Sequence, residues 1–456
     1  MIRAVDQIRR TDLGARPIPP FAALGPAALP PYYEETLPNG LRVLLVHLPT
    51  APTVHAQLMV PFAGTDPRHG AGAALLARTL FAGTSRRTRL EIDNETALLG
   101  GHLAAAVNPE RLGIGAMASA AGLFTLLDVI IDAVTDALYP DDEVVQERDQ
   151  LIEHVDQLRA DPEVFAGEAL QRHLYGDHPV TRAMPDPAIV ATLDPTEIRD
   201  LHQALMTPLG SSLVLVGDFD LDQAFAEVED AAAWWTSPAI AERMQPVPPV
   251  TGGDLQVVNF PGAVQSHLLL AAPAVPYTDP RFAALALATA ALGGDISSRL
   301  SQVIRERKGY CYRIRSALEF MQHMAGMSAT MTVSMNTATA KTAAAWSALR
   351  AELDRFVAES PEGDELDRVR RHALGSQLTA ICSEQHLADT FSGLLNVGLS
   401  FDWFATEREL LTAVTAEEIA AVACEFFRPA RFTGVIVGDA ATLAGELSGV
   451  DGVRMP

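Results

Sequence analysis

The residue types with the clearest chemical potential lie together in the second half of the chain. Arg305, Arg307 and Lys308 are close in sequence and are followed by Tyr310 and Tyr312. An arginine offers a fixed fork of donors to a peptide carbonyl, and a phenol can donate to a developing oxyanion. A basic helix end followed by tyrosines in a strand is also an ordinary solvated surface, so this spacing alone assigns no function.

The other reactive residue types form none of the usual catalytic or metal-binding patterns. No histidine falls in an HxxEH or HExxH motif, and His173 and His178 are predicted to lie in a loop. The pair Gly293-Gly294 precedes a helix start, and no phosphate loop or Ser/His/Asp set is visible. Three cysteines without CxxC spacing cannot all pair with one another, which indicates free thiols in a reducing compartment.

Length and composition indicate a globular protein of several domains. The 456 residues suggest about two to four domains, and 48% hydrophobic with 20% charged residues argues against disorder. A formal net charge of −23 is the opposite of what a phosphate backbone attracts, so no nucleic-acid partner is expected.

The sequence predicts no membrane span and no signal peptide. The longest apolar stretch, residues 122–138, is interrupted by Asp128, Asp132 and Asp136, which draw one polar stripe on a helix. The first residues mix arginine with aspartate and contain no apolar run. Cytoplasmic localisation is therefore the expectation.

Hydrophobic periodicity and turn residues predict alternating strands and helices. Residues 1–35 are rich in proline and are predicted to form an extended arm, and residues 236–254 form the best linker. Strands are predicted at 42–47, 54–62, 104–107, 112–118 and 212–216, and helices at 72–81, 122–138, 141–158 and from Asp194 onward.

A repeat divides the chain into two similar halves. The segment from Asp194 to Glu197 aligns with Thr415 to Glu418, and strand 213–218 aligns with 434–439. The offset is constant, because 418 − 197 and 439 − 218 both equal 221. The pattern predicts a tandem duplication of an α/β unit, with halves at 36–235 and 255–456.

Motifs in a fixed order resemble the inverzincin zinc peptidases, the family of pitrilysin, insulysin and mitochondrial processing peptidase. They are LPNGLRV at 37–43, GAALLARTLFAGT at 72–84, GGHLAAAVNPE at 100–110, LVLVGDFD at 213–220 and SSRLSQVIRERKGYCY at 297–312. The resemblance implies an α+β fold of two homologous halves, each a mostly antiparallel sheet with helices on it, enclosing a peptide chamber. It also implies a zinc site, which the family builds from His-x-x-Glu-His on the helix at 72–84.

The helix that resembles the family's active-site helix lacks the residues that bind zinc. Ala74, Ala77 and Arg78 stand where the family has histidine, glutamate and histidine. Alanine offers no lone pair, and the arginine places a permanent cation where the metal would be. We therefore expect no zinc in this chain and no intrinsic peptidase activity.

Two further positions depart from the family pattern. The third family ligand is the second glutamate of a Glu-x6-Glu motif; here Glu147 matches the first, and His154 stands at the second with Glu153 beside it. Either residue would be a lone ligand, and the sequence leaves open which of the two aligns. At the strand where the family tends to have Asn-Ala-x-Thr, this chain has Ala104 and Val107.

The second half keeps its motif. Arg305 and Tyr312 match the residues that family members use to reach the substrate at the scissile bond, with Tyr310 as an alternative for the tyrosine. The resemblance implies the non-catalytic subunit of a heterodimeric zinc endopeptidase, whose HxxEH-containing homologous partner would hold the zinc and cleave a peptide or unfolded polypeptide. A stand-alone peptide-binding or structural protein is the alternative. New chemistry in the same chamber is a weaker option, for which the sequence offers no constellation.

Overall fold

The structure is a computed structural model that describes residues 29–237, 243–323 and 326–456. Most of the predicted arm, residues 1–28, lies outside these ranges. Within the remainder, the first strand already begins at Tyr32, inside the predicted arm, because residues 32–36 pair with the strand at 42–46. No helix in the described ranges is long and apolar enough to cross a membrane.

In the described residues, the N-terminal half consists of six strands and eight α-helices, with short 3-10 helices at Ala120–Gly122 and Pro179–Arg182. The strands are β1 (Tyr32–Thr36), β2 (Arg42–His47), β3 (Thr53–Pro61), β4 (His102–Val107), β5 (Arg111–Ser119) and β6 (Ser212–Gly217). The helices are α1 (Pro67–Thr79), α2 (Arg89–Leu98), α3 (Leu123–Asp136), α4 (Asp141–Arg159), α5 (Pro162–Tyr175), α6 (Pro187–Val190), α7 (Pro195–Leu205) and α8 (Leu221–Ala232).

The C-terminal half repeats this arrangement, with a π-helix at Ser301–Arg307. Its strands are β7 (Leu255–Asn259), β8 (Gln265–Pro273), β9 (Cys311–His323), β10 (Gly326–Ala338), β11 (Thr433–Gly438) and β12 (Val453–Arg454). Its α-helices are α9 (Phe282–Gly293), α10 (Thr342–Ala358), α11 (Gly363–Ala380), α12 (Glu384–Asn396), α13 (Trp403–Ala413), α14 (Ala416–Phe426) and α15 (Ala440–Leu447).

Each half contains one mixed sheet with the same central order. The N-terminal sheet runs β1-β2-β6-β3-β5-β4 and the C-terminal sheet runs β12-β7-β11-β8-β10-β9. Strands β2 and β6 pair in parallel, as do β7 with β11 and β12 with β7, while the other neighbours are antiparallel. The predicted fold class, two homologous halves with mostly antiparallel sheets, is confirmed.

The equivalent helices α7 and α14 show how local sequence produces the repeat. Asp194 accepts hydrogen bonds from the backbone N–H groups of Thr196 and Glu197, and the Glu197 side chain accepts from the backbone of Asp194. Thr415 and Glu418 make the same reciprocal pair at the start of α14. Each capping box satisfies donors that the first helical turn leaves free, so both helices begin where the sequence pattern predicts.

The two halves interlock through one helix each. Helix α5 of the N-terminal half packs Ala166 and Leu170 on β8 and β11 of the other sheet. Helix α12 of the C-terminal half packs Leu387 and Phe391 on β2 and β6. The helices begin after Asp161 and Ser383, which differ by 222 positions, close to the repeat offset. Each sheet therefore has its own helices on one face and a helix of the other half on the opposite face.

A buried carboxylate strengthens this exchange. Glu384, at the first turn of α12, accepts hydrogen bonds from the Thr50 hydroxyl at 3.0 Å and the Ala51 amide at 3.3 Å, and also from the Thr53 hydroxyl. These donors belong to the turn between β2 and β3 and to the first residue of β3. A buried carboxylate is stable only when such donors satisfy it, so Glu384 fixes α12 on the N-terminal sheet.

The predicted linker passes close to the C-terminal sheet. Its described residues, 236–237 and 243–254, form neither helix nor strand, and β7 begins at Leu255. Gly252 lies so close to the chain at Ala430 that a Cβ atom there would be 1.9 Å from the Ala430 carbonyl oxygen. Only glycine fits at this crossing without moving the backbone.

Candidate functional site

Helix α1 keeps the packing residues of an active-site helix. Asp66 caps it by accepting from the Arg68 amide, and Pro67 occupies the first turn, where a missing N–H costs nothing. Leu75 and Leu76 are fully buried in the N-terminal core. The segment from Gly72 to Thr84 therefore packs α1 against its neighbours.

The position of the second family histidine is occupied by an ion pair. Arg78 lies 3.0 Å from Glu147 of α4, whose side chain is 7% exposed, and Arg89 contacts the other carboxylate oxygen of Glu147 at 3.0 Å. Arg89 also reaches Glu143 at 2.6 Å. Two guanidinium groups thus satisfy both oxygens of the buried carboxylate, which compensates the cost of its burial.

These residues do not fit a zinc ion. Ala74 and Ala77 have methyl side chains, which carry no atom that can bind a metal. Ala77 is buried and Ala74 packs against the core. The Arg78 guanidinium is directed at the Glu147 carboxylate. Glu153 and His154 are exposed on α4. No group of three potential ligands of the types His, Cys, Asp and Glu occurs in the part of the chain that the structure describes, and a catalytic zinc needs about three protein ligands.

Arg305 and Tyr312 lie against each other at the start of β9. The Arg305 guanidinium carbon is 5.5 Å from the centre of the Tyr312 ring, within the range of a cation–π contact. Arg305 also forms an ion pair with its neighbour Glu306 at 3.3 Å. The Tyr312 side chain is 82% exposed, so the phenol is open to a ligand. The arginine comes from a seven-residue π-helix, a distortion often found at functional sites.

Tyr310 is placed differently from Tyr312. Its ring packs against the C-terminal core and lies 5.7 Å from the Lys308 ammonium and 5.8 Å from that of Lys341. A half-buried ring held by two lysines has less freedom to meet a ligand. Of the two tyrosines left open by the sequence, Tyr312 is the exposed one.

A cavity of about 440 Å³ lies at the free edge of the N-terminal sheet, beside β4. Ala104 lines it, whereas Val107 packs against the core, so the two departures from the family pattern face opposite sides of the sheet. Neither this cavity nor its other lining residues were predicted from the sequence. The run of alanines and glycines in β4 and β5 was the available signal. The thirteen lining residues are His55, Ala56, Gln57, His102, Ala104, Ala105, Ala106, Gly113, Gly115, Ala116, Met117, Gln385 and Ala388.

A partly buried charge pair joins the β4–β5 turn to the other half. Arg111 donates to the side chain of Gln322 at 3.2 Å and to the carbonyl of Asn396 at 3.4 Å. Glu110 accepts a hydrogen bond from the backbone N–H of Gln322, and its Oε1 atom has no partner among the described residues. Burial raises the pKa of Glu110 to about 7, against the opposing effect of Arg111.

This pKa predicts a pH-dependent stability that the Glu110→Gln variant lacks. Because the folded-state pKa lies above the unfolded value, the stabilising contribution is complete below about pH 4.5 and is lost as pH rises through 7. Relative to Glu110→Gln, the parent should therefore lose about 3 kcal/mol in the free energy of unfolding between pH 4.5 and 8. Urea denaturation at a series of pH values would measure it. A constant difference between the two proteins would show that Glu110 does not titrate in this range.

The structure thus brings together two of the predicted sets. Arg305 meets Tyr312, and Arg78 meets Glu147. His154 joins neither set. The partners Arg89 and Glu143 and the Glu110 cluster were not found from sequence, because they depend on contacts between segments that no local pattern connects.

Two family models match successive parts of this chain. The model described as Insulinase (Peptidase family M16) matches residues 42–188, and the model described as Peptidase M16 inactive domain matches residues 192–372. The match places an inactive-type domain in the part of the chain that contains Arg305 and Tyr312.

Similar proteins and structures agree with these matches. An uncharacterised zinc protease from Mycobacterium leprae is 31% identical over 304 residues, 65% of this chain and 67% of the relative. One from Mycobacterium tuberculosis is 29% identical over 68% of this chain and 71% of its own length.

Solved structures show the same fold at low sequence identity. A peptidase M16 inactive domain from Pseudomonas fluorescens matches with a TM-score of 0.79 at 19% identity, covering 90% of this chain and 98% of that one. A protease from Helicobacter pylori matches with a TM-score of 0.80 at 17% identity, covering 90% of this chain and all of that one.

Proposed function

Because this chain belongs to the M16 family of peptidases, as its sequence motifs predict, we propose that it is the non-catalytic subunit of a two-chain zinc endopeptidase. A homologous partner with an intact HxxEH motif supplies the zinc and the general base. This chain supplies the Arg305–Tyr312 pair and part of the wall that surrounds a peptide substrate.

The observation that carries the proposal is the occupied ligand position on α1. The guanidinium of Arg78 is bound to Glu147 at 3.0 Å, and Arg89 holds the same carboxylate. A site filled by two cations and two alanines has no means to bind Zn²⁺ or to activate water. Under this proposal, zinc-dependent hydrolysis in which this chain takes part uses a metal held by the partner.

The Arg305–Tyr312 pair gives the chain a defined contribution to such a reaction. The aromatic ring restrains the guanidinium 5.5 Å away, and the exposed phenol remains free to donate. The arginine binds a peptide carbonyl through its planar fork, and the phenol stabilises the oxyanion that develops at the scissile carbonyl. Neither role requires a metal in this chain.

A second candidate function rests on the cavity beside β4. A chamber wall with a free strand edge and a cavity of about 440 Å³ also suits a protein that binds peptides without cleaving them. Under this alternative no peptidase partner exists. We propose a reducing, cytoplasmic compartment in both cases, since Cys311, Cys382 and Cys424 are free.

Mixing the chain with an HxxEH homologue from the same genome distinguishes the two functions. We expect no cleavage of a quenched fluorescent peptide by this chain alone, and cleavage by the pair that a chelator abolishes and added zinc restores. Size-exclusion chromatography should show a stable complex. Chelator-insensitive cleavage by the chain alone contradicts the proposal, and so does a homologue whose activity is unchanged by this chain.

A further inference from the structure

The turn between β4 and β5 joins the N-terminal half to the C-terminal half through one cation. The Arg111 guanidinium donates to the Gln322 side chain of β9 at 3.2 Å and to the Asn396 carbonyl at the end of α12 at 3.4 Å. A third hydrogen bond, to the Gly210 carbonyl at 3.3 Å, remains within the N-terminal half. All three acceptors are uncharged, so Arg111 connects the halves without an ion pair.

Glu110 is adjacent to this cation in the chain but is not bonded to it. Its carboxyl group accepts a hydrogen bond from the backbone N–H of Gln322, while Oε1 is buried without a partner in the part of the chain that the structure describes. An unsatisfied buried oxygen is more costly on a charged carboxylate than on a neutral acid. The surroundings therefore favour the protonated form, and burial raises the pKa of Glu110 to about 7.

The backbone of the turn is held in place, so a change in pairing involves the side chains. The Asn108 side chain accepts hydrogen bonds from the backbone N–H groups of Glu110 and Arg111, both at 2.8 Å. Adjacent arginine and glutamate side chains can pair by rotamer changes alone. Arg305 and Glu306 form such a pair at 3.3 Å. The Glu110 carboxylate, once charged, can therefore compete for Arg111 with the acceptors of the C-terminal half.

Few other charged groups face this contact in the described residues. Burial lowers the pKa of Arg111, and so does Arg243, which lies in the segment before β7. His323 of β9 is neutral at pH 7, because burial lowers its pKa. Residues 207–212 and 390–396, which surround the other two acceptors, contain no titratable side chain. One carboxyl group therefore controls the charge of this contact near neutral pH.

We propose that the contact of the β4–β5 turn with β9 and α12 is a pH-sensitive switch between the two halves. When Glu110 releases its proton to water, the carboxylate pairs with Arg111 and withdraws it from Gln322 and Asn396. The halves then lose two charge-assisted hydrogen bonds, and the Gln322 amide loses its acceptor as the carboxylate turns away. The switch requires neither a catalytic partner nor a peptide.

The direction of the switch follows from proton linkage. In the closed contact the pKa of Glu110 is about 7, and in the opened contact it returns to its ordinary value near 4.5. The closed form is therefore fully favoured below about pH 4.5, and this advantage is lost as pH rises through 7. The population of the opened contact should increase about 50- to 100-fold between pH 5 and pH 8.

Hydrogen exchange at the Gln322 amide measures this opening in the full chain. Mass spectrometry of the peptide that contains Gln322, corrected for the intrinsic exchange rate, should show protection falling about 50- to 100-fold from pH 5 to pH 8. Low concentrations of urea should leave this exchange unchanged, because a local opening exposes little surface. Constant protection across the pH range overturns the proposal. Exchange that urea accelerates also overturns it, because the opening is then global unfolding.

Two substitutions of glutamate by glutamine supply the matched comparison. Glu110→Gln keeps the shape of the side chain and removes its titration, so protection of Gln322 should be constant from pH 5 to pH 8. Glu227→Gln makes the same change at an exposed position of α8 and should keep the pH dependence of the parent. The same pH dependence in both variants overturns the proposal.

A third variant keeps the test decisive if Glu110→Gln fails to fold by circular dichroism. Arg111→Gln removes the cation that opposes protonation of Glu110 and is its partner in the opened contact. The loss of protection at Gln322 should then occur at a higher pH than in the parent. An unchanged midpoint would show that Glu110 and Arg111 do not act together and would overturn the switch.

Discussion

Replacing Arg305 by alanine together with Tyr312 by phenylalanine is expected to lower the kcat/KM of the two-chain enzyme about 100- to 1,000-fold. Removal of a single oxyanion donor in comparable sites has an effect of this size, and the double variant also removes a carbonyl-binding guanidinium. Tyr312→Phe keeps the ring and takes away only the hydroxyl. Steady-state peptide hydrolysis with a fixed concentration of partner measures the change.

The neighbouring pair Arg307 and Tyr310 provides the control. Arg307→Ala with Tyr310→Phe removes the same functional groups from the same stretch, where Tyr310 is packed against the core and two lysines. This variant should retain activity within about threefold of the parent, because Arg307 is exposed and Tyr310→Phe keeps the packed ring and removes only its hydroxyl. Equal losses in both double variants, or no loss in either, would remove Arg305 and Tyr312 from the site.

Rebuilding the family ligands on α1 and α4 is expected to create a zinc site. The variant Ala74→His, Ala77→Glu, Arg78→His and His154→Glu should bind about one Zn²⁺ per chain, and the parent well below one. The contact between Arg78 and Glu147 shows that α1 and α4 approach each other at this face. Residue 154 follows Glu147 by two helical turns and so lies on the same side of α4. Metal analysis after dialysis measures the content.

The triple variant that retains Arg78 tests the physical reason for the missing metal. With Ala74→His, Ala77→Glu and His154→Glu alone, the guanidinium still occupies the metal position, so zinc binding should remain weak. Suppose that the variant with all four substitutions folds like the parent by circular dichroism and still binds no zinc. That result would show that α1 lacks the ligand geometry as well as the ligands. Equal zinc binding by the variants with three and with four substitutions would show that Arg78 does not prevent zinc binding.

Local sequence was sufficient to predict most elements and the duplication. The capping boxes at Asp194 and Thr415 involve residues three apart, so both the residue types and their spacing are visible in the chain. The exchange of α5 and α12 was not predicted, because an apolar helix face does not reveal which sheet it covers. That choice depends on contacts such as those of Glu384 with the β2–β3 turn, more than 300 residues away.

The residue types at the candidate site can be read from the sequence, whereas their neighbours in the fold cannot. The loss of metal ligands at Ala74, Ala77 and Arg78 is a property of the sequence, whereas the pairing of Arg78 with Glu147 requires the packing of two helices. The raised pKa of Glu110 follows from its burial, which outweighs the opposing effects of Arg111 and of a hydrogen bond from the backbone of Gln322 in the other half. Glutamate next to arginine in a hairpin turn gives no sign of such burial.

The exchanged helices also account for how the ancestor of this chain could have existed at half its length. A single unit with only its own helices would expose the apolar sheet face that α5 or α12 now covers, and such a face favours association. Two copies trading this helix about a twofold axis would bury both faces. Joining two such units in one chain keeps the exchange intramolecular, and α5 and α12 have this arrangement here.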